Sequence, residues 1–133
     1  MADQIYQILQ GLDSSRSDFK VLIFGLTFKE NIPDLRNTKV IDFIQALQSK
    51  GCVIAVHDVF ADPLEAQTLL GMPLTSLSDS ADYDCVVSAV AHQPYTQLST
   101  EDFIRFLKPK GLMADLKRIW KDQKPVEMSY WTL

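Results

Sequence analysis

Glycine is scarce in this chain, 5 in 133 residues, and no two of the five stand close enough to make a glycine-rich loop. No G-x-G-x-x-G run or P-loop is present, so the usual backbone cradles for dinucleotides and triphosphates are missing. Cysteine is limited to Cys52 and Cys85, each inside an apolar run. Their spacing fits neither a metal site nor a disulfide framework. Both read as small core residues in a reducing, cytoplasmic compartment. The two histidines, His57 and His92, have no Ser or Cys nucleophile placed beside them, and no triad, paired-carboxylate or zinc arrangement emerges. Excess positive charge is also lacking. Thirteen Lys and Arg stand against seventeen Asp and Glu, a net charge of −4, which argues against nucleic acid as a partner. No apolar run approaches membrane-spanning length and no signal peptide opens the chain, so no membrane partner is expected.

What is present is a hydrophobic fraction of 47% with 23% charged residues, ordinary for one folded domain with a proper core. The organising stretch is Val21 to Lys39: a buried strand, running from about Phe19 to Leu26 with Gly25 letting the backbone turn or approach another group, a polar loop from Thr27 to Arg36, then a helix start. Before it, Ile5, Ile8, Leu9 and Leu12 recur at helical spacing. That apolar stripe implies the tail of a longer helix, a partner, or a helix docked on its own domain. After the loop, a helix capped by Asn37 or Thr38 runs to Lys50, with Gly51 closing it. Cys52 to His57 follows as a strand and Asp58 ends it. Asp62-Pro63 with Glu65 opens a short helix that stops at Gly71. Pro73 to Thr75 reads as a short strand, Ser76 to Ala81 as a helical turn, and Cys85 to Val90 as another buried strand. Ser99 to Asp102 is a capping box for a helix closed by Pro109 and Gly111. Leu112 to Asp115 is the next strand, and Met128 to Leu133 an edge strand. Strands alternating with helices predict an α/β fold: a Rossmann-like, doubly wound, mostly parallel sheet with helices on both faces.

In such sheets ligands bind beyond the carboxyl ends of the strands. Four loops collect there: Thr27 to Arg36, Asp58 to Asp62, Ala91 to Tyr95 and Leu116 to Trp120. They carry the cations Lys29, Arg36, Lys117 and Arg118, which point to an anionic ligand such as a phosphate or diphosphate. Phe28, Tyr95 and Trp120 are candidates to flank a base or sugar ring. For any one of these lysines the alternative is a solvated surface charge. Asp58 sits where a dinucleotide fold places its ribose-binding acid, but without the glycines a structural, loop-bonding role is preferred. His57 reads as a satisfied core residue, and His92 lies in a loop facing the ligand side.

The run Gly25-Leu-Thr-Phe-Lys-Glu-Asn-Ile-Pro-Asp-Leu-Arg-Asn-Thr-Lys-Val40 resembles the start of the C-terminal domain of the UDP-glucose/GDP-mannose dehydrogenase family. It is most similar to the branch acting on UDP-N-acetylhexosamines or their uronates in surface-polysaccharide synthesis. The resemblance continues through Val53 to Asp58, Asp82 to Val87, Lys108 to Gly111, Asp115 to Lys117 and the terminal Tyr130 to Leu133. It covers nearly all of the chain beyond residue 18. Enzymes of this family oxidise a sugar's primary alcohol to a carboxylate in two NAD-dependent steps. An N-terminal domain binds NAD, and a middle domain carries the catalytic cysteine.

The resemblance therefore implies a C-terminal nucleotide-sugar-binding domain at 19–133, preceded at 1–18 by the end of an inter-domain helix plus linker. It implies UDP-sugar as ligand, NAD held mainly by an N-terminal domain, the N-terminal and middle domains as partners, and a homodimer for the full-length enzyme. Phe28 and Lys29 match the family's Phe-Lys pair that contacts the UDP-sugar. Arg36 matches the arginine that reaches NAD on the other domain. Asp115-Leu-Lys117 falls where many members have an Asp-x-Arg holding substrate, so Lys117 or Arg118 takes that role, without the arginine's planar fork if it is Lys117. Neither the catalytic-cysteine motif nor the dinucleotide fingerprint occurs here, so the domain alone is expected to be inactive. Two other readings share the sheet: a stand-alone nucleotide- or phosphate-binding module, and a flavodoxin-like interaction domain. The second is disfavoured by Lys29, which stands where an acidic cluster would gather.

Overall fold

Burial on both faces is what the apolar strand sequences demand, and the fold supplies it. The computed structural model describes residues 1–36 and 38–133. Strands β1 (Lys20–Phe24), β2 (Val53–His57), β3 (Tyr83–Ser88), β4 (Leu107–Ala114) and β5 (Ser129–Trp131) form one sheet in the order β2-β1-β3-β4-β5. All of its strand pairings are parallel. Side chains alternate across β1. Val21 and Ile23 enter a core completed by helices α1 (Ala2–Leu12), α2 (Val40–Ser49) and α3 (Pro63–Leu70). Leu22 and Phe24 enter an aromatic core with Tyr95 of α4 (Gln93–Thr96), Phe103 and Phe106 of α5 (Thr100–Phe106), and Trp120. Helices thus cover both faces.

The stripe on α1 is docked within the domain: Ile5 and Leu9 are buried in the first core with Ile44 and Leu47 of α2. The Arg16 guanidinium then clamps the segment after α1 to β3, reaching the two Asp84 carboxylate oxygens at 2.8 and 3.0 Å. This bidentate geometry is the strong form of an ion pair. Local chemistry sets the helix ends. Asp62 accepts the Glu65 N–H at 2.9 Å, Pro63 occupies the first turn, and Gly71 closes α3 at φ +75°. Ser99 and Asp102 form the reciprocal capping box of α5. The cap position of α2 falls on Lys39, without a side-chain cap bond, rather than on Thr38, which accepts from the Val40 N–H at 3.2 Å one residue earlier. Asn37, the other cap expected there, lies outside the described residues.

Three expectations need correction. Pro73 to Thr75 is not a strand; a single bond from Thr75 N–H to the Val56 carbonyl ties it to the sheet edge. The third strand ends at Ser88 rather than Val90, because the Ala89 and Val90 N–H groups turn back onto the Phe24 carbonyl. The fourth strand begins at Leu107, directly from α5, and runs through Pro109 and Gly111. Lys110 sits there at φ +66°, and the pairing with β3 shifts register between Tyr83 and Cys85. The Pro and Gly make a bulge within the strand rather than a boundary before it.

Candidate functional site

The sheet order places a topological switch between β1 and β3: the chain leaves β1 towards β2 on one side and β3 towards β4 on the other. A cleft of about 460 Å³ lies at this switch. Thr27 to Glu30 line it from the loop after β1, Ala89 and Val90 from the loop after β3, and Leu116 and Lys117 from the loop after β4. Thr38, Lys39, Val40 and Phe43 at the start of α2 form another wall, and Met1 and Leu133 complete the lining. Gly25 allows the two central loops to meet. It sits at φ +105°, and a Cβ there would stand 2.5 Å from the Val90 Cβ. The close approach that this glycine permits is filled by Val90, which leaves no room for a phosphate against that turn.

Three lysines face the cleft: Lys29, Lys39 and Lys117. All three are exposed, and among the described residues none has a carboxylate within ion-pairing distance. Phe28 stands beside Lys29 with 52% of its surface exposed, a large apolar face left in water next to cations. The start of α2 adds the partial positive charge of a helix N-terminus. Lys39 was not singled out from the sequence, because it reads there as the first polar residue of a helix.

Two buried carboxylates hold the loops from beneath. Asp58 is 6% exposed. One of its oxygens accepts from Leu26 N–H at 2.6 Å and Thr27 N–H at 3.0 Å; the other accepts from Phe60 and Ala61 N–H at 2.8 and 2.9 Å. Burial pushes this carboxyl up, but the hydrogen bonds from His92, Leu26, Thr27 and Phe60 outweigh it and hold it well below the usual carboxylate range. The loop-bonding reading of Asp58 is therefore the observed one. Asp115 plays the same part for the loop after β4. It is fully buried and accepts from Ser88 Oγ at 2.7 Å, Ile119 N–H at 3.0 Å, Trp120 N–H at 2.8 Å and the Tyr130 hydroxyl at 2.7 Å. Ser88 in turn accepts the Lys117 N–H at 3.0 Å, so the backbone of Lys117 is fixed while its side chain stays in water. Burial and the Asp115 carboxylate push the Tyr130 phenol up to about 12.

Several candidate residues fall elsewhere. Tyr95 is 1% exposed and offers no face to a ligand. Its hydroxyl lies 2.7 Å from His57 Nδ1 and accepts from Val59 N–H at 3.2 Å, while its ring packs edge-on against Phe24. Trp120 is also a core residue; its indole N–H donates to the Tyr95 carbonyl at 3.0 Å. His92 is fully buried rather than facing the ligand side. His57 is half-buried against Tyr95, and burial pulls its imidazole below the ordinary value, only partly offset by Asp58. Arg118, at φ +57°, turns to the carbonyl of Leu133 and does not line the cleft. Arg36 also lies outside the cleft. It is 85% exposed, pairs with Asp34 at 3.0 Å, and borders a separate depression with Leu64, Glu65 and Leu69 of α3. Among the described residues no cluster of His, Cys, Asp and Glu is arranged to hold a metal ion, and no helix is long and apolar enough to cross a membrane.

Fold and cleft together define a parallel α/β ligand-binding domain that presents three lysines, one glutamate and the rings of Phe28 and Phe43 at its topological switch point. Residues 22–122 match the UDP-glucose/GDP-mannose dehydrogenase family, UDP binding domain, and the chain belongs to that family. Protein CapL of Staphylococcus aureus is 40% identical over 125 residues, covering 93% of this chain and 29% of its own. A UDP-N-acetyl-D-glucosamine 6-dehydrogenase of Salmonella typhi is 39% identical over 99 residues, 74% of this chain and 23% of its own. The chain spans less than a third of the length of these relatives. Among solved structures, an NDP-N-acetyl-D-galactosaminuronic acid dehydrogenase of Methanosarcina mazei superposes with a TM-score of 0.80 over 98% of this chain and 28% of its own, at 16% identity. That likeness establishes the fold.

Proposed function

We propose that this chain is the nucleotide-sugar-binding domain of an NAD-dependent dehydrogenase that oxidises the primary alcohol of a UDP-N-acetylhexosamine, for surface-polysaccharide precursors. The observation that carries the reading is the cleft at the switch point. Three lysines without carboxylate partners among the described residues and a helix start converge there on a volume suited to a small ligand. Lys29 and Lys117 hold the diphosphate from opposite loops, and Phe28 covers the base or sugar. Residues 1–18 are the end of an inter-domain helix plus linker, and 19–133 are the binding domain of a longer chain that assembles as a homodimer.

The domain's task is grip and orientation. Binding the diphosphate away from the reacting carbon positions that carbon for hydride transfer. The chain itself builds no dinucleotide site among its described residues: β1 ends in a single glycine whose open side is occupied by Val90. Its one contribution towards NAD is Arg36, which is exposed outside the cleft, pairs with Asp34 and would meet a group on a neighbouring domain. The decisive experiment titrates the chain with UDP, UDP-N-acetylglucosamine and UDP-N-acetylgalactosamine and follows backbone amide shifts by NMR. The expected shifts cluster at Phe28, Lys29, Lys39 and Lys117. Shifts confined to other surfaces, or none at millimolar UDP, overturn the assignment of the cleft. NADH formation by the isolated chain with any UDP-sugar would overturn its role as a binding domain alone.

A further inference from the structure

We infer that His92 is a positioning residue for the binding loop: it never touches the ligand, and it sets Phe28 and Lys29 in the conformation that grips it. The inference rests on the nucleotide reading of the cleft and names the part that keeps the site in shape. His92 is fully buried at the centre of three loops, those after β1, β2 and β3. Its Nδ1 accepts the backbone N–H of Asn31 at 2.9 Å, and its Nε2 lies 3.0 Å from both Asp58 Oδ2 and Thr27 Oγ1. An N–H already points at Nδ1, so the ring proton belongs on Nε2 and faces the carboxylate. The tautomer follows from the hydrogen bonds around it. Phe60 seals the ring edge-on with centroids 4.7 Å apart.

These contacts bracket the ligand-facing segment. Thr27, on its near side, donates its hydroxyl to the Lys29 carbonyl at 3.1 Å. Asn31, on its far side, sits at φ +63° and accepts the Gln93 N–H on its side chain at 2.8 Å. Phe28, Lys29 and Glu30 therefore project from a span pinned at both ends to one imidazole. Without the Nδ1 acceptor, the Asn31 N–H loses its partner and the left-handed turn loses what compensates its strain. The loop then samples other conformations, and Lys29 must be ordered at the moment of binding.

His92→Gln and His92→Asn separate the positions of the ring. The Gln amide keeps a donor near Asp58 but has no acceptor at Nδ1; the Asn carbonyl replaces the Nδ1 acceptor. UDP affinity by calorimetry should fall about tenfold or more in His92→Gln and stay within about threefold of the parent in His92→Asn. Amide spectra without ligand should show disorder confined to residues 28–31 in His92→Gln. If both variants bind UDP as the parent does, or both lose affinity equally with an ordered loop, the positioning role is refuted. A parent chain that fails to bind UDP sinks the nucleotide reading alone, since the ligand-free amide spectra still test the loop. Should His92→Gln not fold, the imidazole nitrogen spectrum of the parent decides. A proton on Nε2 with a hydrogen-bonded, unprotonated Nδ1 supports the inference, and a proton on Nδ1 overturns it.

Discussion

Replacing Asp58 with alanine removes one carboxylate and strands a whole set of donors. Leu26, Thr27, Phe60 and Ala61 lose the acceptor for their backbone N–H groups, and His92 loses the acceptor for its ring nitrogen. An unsatisfied buried donor costs about 1–3 kcal/mol, and relaxation with water entry recovers part of that, so the net loss should be about 4 kcal/mol. With a urea dependence of about 2 kcal/mol per molar, the unfolding midpoint should move down by about 2 M. Asp62→Ala is the internal comparison. That carboxylate also accepts a backbone N–H, at 2.9 Å, but on an exposed helix cap, and its loss should cost about 1 kcal/mol. Asp58→Asn should not rescue the fold, because both Asp58 oxygens accept and either orientation of the amide sets an NH2 group against donors. The sign of the pH effect follows from the depressed carboxyl: its stabilisation is present above the ordinary carboxylate value of 3.8 and is lost as pH falls through the lower folded value. Asp58→Ala should therefore flatten the acid limb of the stability curve. An alanine variant that loses less than about 1 kcal/mol, or an asparagine variant as stable as the parent, would refute the account of Asp58 as the clamp of two loops.

Lys39→Gln should leave stability within about 0.5 kcal/mol of the parent yet weaken UDP binding several-fold by calorimetry; a stability loss with unchanged affinity would place Lys39 outside the site. Gly25→Ala should destabilise by about 3 kcal/mol or more on urea unfolding, because the new Cβ meets Val90 at 2.5 Å and φ is +105°; a wild-type midpoint would contradict the packing at the switch point. Ile5→Ala should cost about 2–5 kcal/mol if α1 is docked as observed, and a neutral result would show that the helix needs a partner. His57 is held below 6.5 by burial, so its contribution is present above that pH and is lost as pH falls through the folded value. His57→Gln should remove that part of the slope as pH falls below His57's ordinary value, and an unchanged slope would exclude His57 as its source.

Much of the architecture is legible because it follows short-range rules. The unbroken burial of Val21 to Phe24 on both faces, the caps at Asp62 and Ser99, and Gly71 in the left-handed region are local preferences that the tertiary structure obeys. Asp58 is legible by exclusion, since an acid ending a buried strand without a glycine loop has backbone donors as its nearest company. Direction is what the sequence hides. Tyr95 and Trp120 stand in the correct loops, yet both rings turn back onto Phe24, because the face covered by Phe103 and Phe106 still has volume to fill. Nothing in the residue order says which way the single turn of α4 will point. Arg118 differs from Lys117 by one step, but its left-handed backbone sends it to Leu133, beyond the end of β5. Pro109 and Gly111 read as punctuation, whereas their strand absorbs them as a bulge.

The domain separates the groups that hold from the groups that grip. Asp58, Asp115 and His92 are buried and hydrogen-bonded on every side, and none of them lines the cleft. Lys29, Lys39 and Lys117 are exposed and unpaired with carboxylates among the described residues, whereas some cations elsewhere, such as Arg16 on Asp84 and Lys50 on Asp3, are paired. Buried acceptors fix backbones without neutralising the side chains those backbones carry. Lys117 shows the division within one residue: its N–H is bound to Ser88, which donates to Asp115, and its ammonium is left in water. Pairing each lysine with a surface carboxylate would add at most about 1 kcal/mol to stability. It would also oblige an anionic ligand to break that pair before binding. In a chain with a net charge of −4, keeping these cations clear of carboxylates is what allows a local positive site to exist at all.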